Sequence, residues 1–353
     1  MAALQSTVHS NGPNRDKDHY HETGDSIIRV ENVLFKIHKF PLTHNSSVFA
    51  TMFNLPVGIG SVEGLSDDIP IVLEGEKAED FRAVLKYIYA PPVQLQMERI
   101  PISALREIIS LVKLSHKYEM DHWKEWGVEV LERMLDDLHS LPVEHLQPLY
   151  SLYSLVGDAP ARTRVMKQWC EVIETNKLLI VPVLDAASAY DDRDAIAEAY
   201  CIQIRRWEKE DANVLNPNSY RADGLAQSHI QRIQAGYMSL SLSWGRFRSE
   251  ELPYVPGVCT ETLARHKEFC VRHSRPKWTQ AIVDAEAQYP HVTQMVNRFF
   301  HVAQRILSAL DAAIRENPFG LHHPQYCLHK VIKGFNSHLQ TDTHLLANHF
   351  FPK

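Results

Sequence analysis

The sequence predicts an α+β unit, a small sheet covered by helices, followed by a mainly α-helical region. Three observations carry this. Residues 25–38 alternate apolar and polar at period two around a short turn. The segments after them, to about residue 138, repeat apolar residues at helical spacing around one further short strand. From Val143 onward the periodic segments are helical. Strands grouped with helices in this way predict α+β rather than a repeating βαβ wind.

Residues 1–24 are rich in His, Asn, Ser and Asp without an apolar period, so a disordered tail is expected there, with order starting near Asp25. Ile28 and Val30, then Val33, Phe35 and Ile37, form the two strands of a hairpin with one buried face. Glu31-Asn32 is its two-residue turn, where Asn tolerates the positive φ that tight hairpins need. Asn45 or Ser46 caps the next helix, whose Phe49, Met52 and Phe53 fall on one stripe and are the nearest cover for the hairpin. Val57–Asp68 is a glycine-bearing loop and 69–73 a short strand. Glu76, Glu79 and Asp80 favour a helix start through the macrodipole. Phe81, Val84, Leu85 and Ile88 follow as its buried stripe, and Pro91-Pro92 stop it. Leu105, Ile108, Ile109 and Val112 share the face of another helix; Trp123, Trp126, Val130 and Met134 share that of a third, over 121–138. The expected domains are therefore 25–140 and a helical region 141–353, possible to split at the polar linker 212–223.

The chain has 353 residues, enough for about two domains. Lys and Arg total 37 against 43 Asp and Glu, a net charge of −6, which argues against a general nucleic-acid binder. Five Cys show no paired framework and fit a reducing, intracellular compartment. No apolar run approaches the ~18 residues that span a bilayer, so no membrane partner is expected.

The run DSIIRVENVLFKIHKFPLTHNSSVFATMF, Asp25 to Phe53, resembles the start of a BTB/POZ domain. The resemblance rests on Asp25, Phe35, His38, Leu42, Ser46, Phe49, Met52 and Phe53, and continues through Ile71-Val72-Leu73 and Phe81 to Tyr89. It covers roughly 25–138, and the long helical remainder is similar to that of fungal BTB proteins. The resemblance implies a non-enzymatic scaffold acting through protein partners: a homodimer, or a cullin if the chain is a substrate adaptor of a ubiquitin ligase. It also implies a protein-binding role for Asp25 and Lys39, which match an acidic and a basic residue beside the dimer groove; a local ion pair between them is the plainer reading. Two features depart from the family. Residues 1–24 carry no amphipathic stripe for a swapped helix, and the hydrophobic-x-Glu motif of cullin-binding members has Ser61 two residues before Glu63.

No catalytic constellation or cofactor motif is present. Gly58 to Gly64 is one residue too long for a dinucleotide fingerprint and follows a helix instead of a strand. His38 is expected to hydrogen-bond to backbone inside the fold. Cys259, His266, Cys270 and His273, offset by 7, 4 and 3, form the weak candidate metal set. An α-helix would bring the last three to one face, with Cys327 and His329 as further candidates. Buried thiols and surface histidines are the plainer reading. Six His between His322 and His349 are expected to form a solvated cluster.

Overall fold

A computed structural model describes residues 12–55, 63–96, 100–135, 141–209, 224–249, 262–316, 324–341 and 345–351. The chain divides into two compact units, Met1–Trp169 and Cys170–Lys353.

The first unit is built on a four-stranded sheet of order β1-β3-β2-β4. The strands are β1 (Asn14–Tyr20), β2 (Ser26–Val30), β3 (Val33–Ile37) and β4 (Ile71–Val72). The hairpin is the expected one: β2 and β3 pair antiparallel from Ser26↔Ile37 to Val30↔Val33. Its turn differs in detail, because Glu31, not Asn32, takes the positive φ of 50°. Glu31 is held there by a second task. Its Oε2 accepts the Ala78 amide at 2.9 Å, at the start of the helix that covers the sheet.

Strand β1 overturns the expectation of a disordered tail as far as residue 24. It lies parallel to β3, with an irregularity between Arg15 and Tyr20. An apolar-period search misses it because polar groups anchor it. Its buried positions are Asp16 and His19. The Asp16 carboxylate receives Arg82 at 2.7 Å and the amides of Asp18 and His19 at 3.0 and 2.9 Å. Burial alone would raise the Asp16 carboxyl; those donors outweigh it and hold it below the usual range.

Seven helices complete the first unit among the described residues: α1 (Lys39–Asn45), α2 (Ser47–Phe53), α3 (Ala78–Ile88), α4 (Leu105–Lys117), α5 (Asp121–Met134), α6 (Leu146–Val156) and most of α7 (Ala159–Thr175). Two packing expectations change. The hairpin is not buried on one face only: Leu34 is as enclosed as Phe35, and Ile27 as Ile28. Phe35 meets Phe81 of α3 edge-on at 5.1 Å, while Phe49 of α2 stacks on Tyr118 at 4.7 Å. The phenylalanine facing Phe35 therefore comes from α3, and α2 is tied to the end of α4. Of the α2 stripe only Phe49 is fully buried; Met52 and Phe53 are half-buried, as are Trp123 and Trp126 of α5. Helix α6 packs on α4, and its Leu146, Leu149 and Tyr150 are buried; it belongs to the first compact unit.

The second unit is helical. After the end of α7 come α8 (Val181–Ala189), α9 (Arg193–Lys209) and α10 (Gln227–Ser249). A short turn, Leu263–Arg265, runs into a π-helical segment, His266–Val271. This continues as α11 (Arg272–Gln288), then α12 (Met295–Glu316), α13 (Pro324–Thr341) and α14 (Ala347–Phe350). Buried Trp244 and Phe299 meet half-buried Phe247 and Phe335 at ring separations of 4.5–5.8 Å. The linker expected at 212–223 lies outside the described residues. No described helix is long and apolar enough to cross a membrane.

Candidate functional site

The two residues singled out at the hairpin, Asp25 and Lys39, do meet, but through the main chain. Gly24 lets the backbone approach β3: a Cβ there would sit 3.0 Å from main-chain atoms of Lys36 and Ile37. The next amide, of Asp25, donates to the Ile37 carbonyl at 3.0 Å. This places the Asp25 carboxylate at the first turn of α1, where its Oδ1 accepts the Lys39 amide at 2.7 Å. A carboxylate at a helix N-terminus satisfies an otherwise orphaned amide and suits the dipole. The Lys39 ammonium turns the other way and lies 5.5 Å from the centre of the Phe53 ring. The plainer expectation of an Asp25–Lys39 ion pair is thus replaced by a carboxylate–amide bond and a cation–π contact.

This arrangement gives the α1–α2 corner its surface. Phe40, next to Lys39, is 72% exposed, and its ring stacks on His44 at 5.4 Å. Leu55, two residues past Phe53, is 61% exposed. Beneath the corner, Ser46 holds α2 in place. Its Oγ accepts the Phe49 amide at 3.0 Å and donates to the Tyr118 carbonyl. The corner therefore has a rigid base and an outward apolar face edged by charge.

His38 bonds to side chains rather than, as expected, to backbone. Its ring lies 3.1 Å from both the Tyr89 hydroxyl and the Thr23 hydroxyl, and its amide donates to Tyr89 at 2.9 Å. His19 and His21 gather against the same tyrosine, at ring separations of 6.2 and 4.8 Å. Burial lowers the His19 imidazole. Sequence reading missed this group because β1 was not recognised. A groove on that side is lined by Arg82, Lys86, Tyr89 and Glu107, but its charges are paired, Lys86 with Glu107 and Arg82 with Asp16.

The sulfur and imidazole candidates fall differently from the expected set. His266, Cys270 and Cys327 are all buried, and their ligand atoms lie within 4.8 Å of one another. His273 is not among them; its ring faces the Phe269 carbonyl at 2.7 Å in an exposed position. The cause is the π-helical segment. It absorbs an extra residue, which turns the following positions back by about 100°. Ser274 then occupies the inward position that an α-helix would give to His273, and Ser274 is buried. His329 pairs with Asp311 at 2.9 Å instead. Cys259 lies outside the described residues, as do Ser61, Gly58 and Gly60. The expected cluster of C-terminal histidines does not hold for His349, which is half-buried with its Nδ1 2.8 Å from the Ser239 hydroxyl.

Comparison with known families matches residues 15–135 to the BTB/POZ domain. Its span begins within β1 and ends just after α5. No curated protein matches the chain.

Proposed function

We propose, from the premise that the chain carries a BTB/POZ domain at residues 15–135, that it is an interaction scaffold. Its domain would pair with a second copy through the α1–α2 corner while the helical unit carries the client. BTB domains are protein-interaction modules, and homodimerisation is among their established uses. The observation that carries this reading is Phe40, a large aromatic side chain 72% exposed beside Lys39 and the Asp25 carboxylate. Large exposed aromatics at charged rims are what interface anchors look like before a partner covers them. In this reading Asp25 acts by setting where α1 begins, and Lys39 by offering charge at the rim.

The test is the oligomeric state of the full chain by light scattering over micromolar concentrations. A dimer is expected, with Phe40→Arg giving a monomer of unchanged circular dichroism. A wild-type chain that stays monomeric throughout overturns the homodimer. If such a monomer co-purifies with a cullin, the scaffold reading gives way to a ligase adaptor.

A further inference from the structure

We infer that His266, Cys270 and Cys327 bind one zinc ion that fastens α13 to the π-helical turn. The donors come from two stretches of chain: His266 and Cys270 from the π-helical segment, and Cys327 from the first turn of α13. All three side chains are sealed from solvent, at 1%, 1% and 3% exposure. The Cys327 sulfur is 3.6 Å from His266 Nδ1. Zinc takes thiolate sulfur at ~2.3 Å and imidazole nitrogen at ~2.0–2.1 Å in a tetrahedron, which sets its donors roughly 3.5–3.8 Å apart. The Cys327–His266 separation already has that value. The outer limit of 4.8 Å for the set asks for about 1 Å of closure, within the reach of side-chain rotation.

Charge and chemistry favour the same ion. Two thiolates and a neutral imidazole offset a divalent cation's charge, so the loaded site places no net charge in the interior. The two thiol protons leave to solvent as the sulfurs bind. Soft sulfur and imidazole donors suit zinc, whereas calcium and magnesium take oxygen. The π-helical segment supports the assignment independently. Such segments concentrate at functional sites, and this one turns His273 outward while His266 and Cys270 stay inside. Three protein donors fill three positions of the tetrahedron and leave one for a further donor.

The test uses the full chain purified without a histidine tag. One zinc per chain is expected by elemental analysis, and cobalt replacing it should show tetrahedral d–d bands with a thiolate-to-cobalt charge-transfer band. Cys270→Ser and Cys327→Ser should each weaken that band about twofold, since one of two thiolates is lost. Cys201→Ser, at a buried thiol elsewhere in the same unit, and His273→Ala should leave it unchanged. Zinc well below one per chain, together with no tetrahedral cobalt spectrum in the wild-type protein, overturns the site without reference to any variant. A band lost in His273→Ala overturns the donor set.

Discussion

Removing one hydroxyl, in Ser46→Ala, tests how the α1–α2 corner is held. Ser46 is 3% exposed and its oxygen has two partners. It caps α2 by accepting the Phe49 amide and satisfies the Tyr118 carbonyl by donating to it. Loss of an N-cap costs about 1 kcal/mol. A buried carbonyl left without its donor costs a further ~1–3 kcal/mol. The substitution removes both at once, so the first unit should lose about 2–4 kcal/mol, a fall of roughly 4–16 °C in its unfolding midpoint. Urea unfolding followed by hydrogen exchange of peptides from residues 12–135 assigns the loss to that unit. Ser46→Thr keeps the hydroxyl and should recover most of the stability. The neighbouring Ser47 donates to Glu119 from an exposed position, so Ser47→Ala should change stability by less than about 0.5 kcal/mol. If Ser46→Ala costs no more than Ser47→Ala, the double role assigned to Ser46 is wrong.

Two further outcomes follow from packing and titration. A Cβ at Gly127 of α5 would come within 2.4 Å of the Val112 side chain on α4, so Gly127→Ala should cost about 1 kcal/mol net, overpacking outweighing the gain in helix propensity. Val112→Ala in the same chain should remove that penalty in a double-mutant cycle, and a Gly127→Ala chain more stable than wild type would contradict the close approach. Burial lowers His19, His229 and His349 below the ordinary imidazole value. The unfolded chain therefore takes up protons near pH 6.5 that the folded chain refuses, and stability, full above that value, falls as the pH drops through it. Carboxylates held low, such as Asp16 and Glu174, begin to lose their contribution only nearer pH 4, so the change between pH 7 and 5 belongs to the histidines. Thermal midpoints should fall across that range, less so in His19→Gln; a rise would contradict the sign.

Much of the first unit was legible because its elements obey single periods. The hairpin register, the Ser46 cap, the acidic start of α3 and the stripe of α4 each follow from a few neighbouring residues. Strand β1 was not legible because its anchors are an aspartate and a histidine. A buried carboxylate is affordable only with its donors, and Arg82, the partner of Asp16, lies 66 residues away. Distance along the chain also hides the pairing of Phe35 with Phe81, since periodicity marks a face as apolar without saying what meets it.

The sulfur–imidazole site shows a sharper limit. His266, Cys270 and His273 share a face only if every residue between them advances by the same angle. One π-helical segment breaks that assumption and exchanges an inward histidine for a serine. Cys327 cannot be chosen from spacing, because nothing local brings residue 327 to residue 266; the packing of α13 on the π-helical segment does. Asp25 and Lys39 show the reverse case. Their proximity follows from the hairpin, yet the bond between them joins a carboxylate to an amide, which frees the ammonium for Phe53 and sets Phe40 outward. At both sites the path of the backbone decides which atoms of the nominated residues face one another, and at the sulfur–imidazole site it also removes His273 from the set.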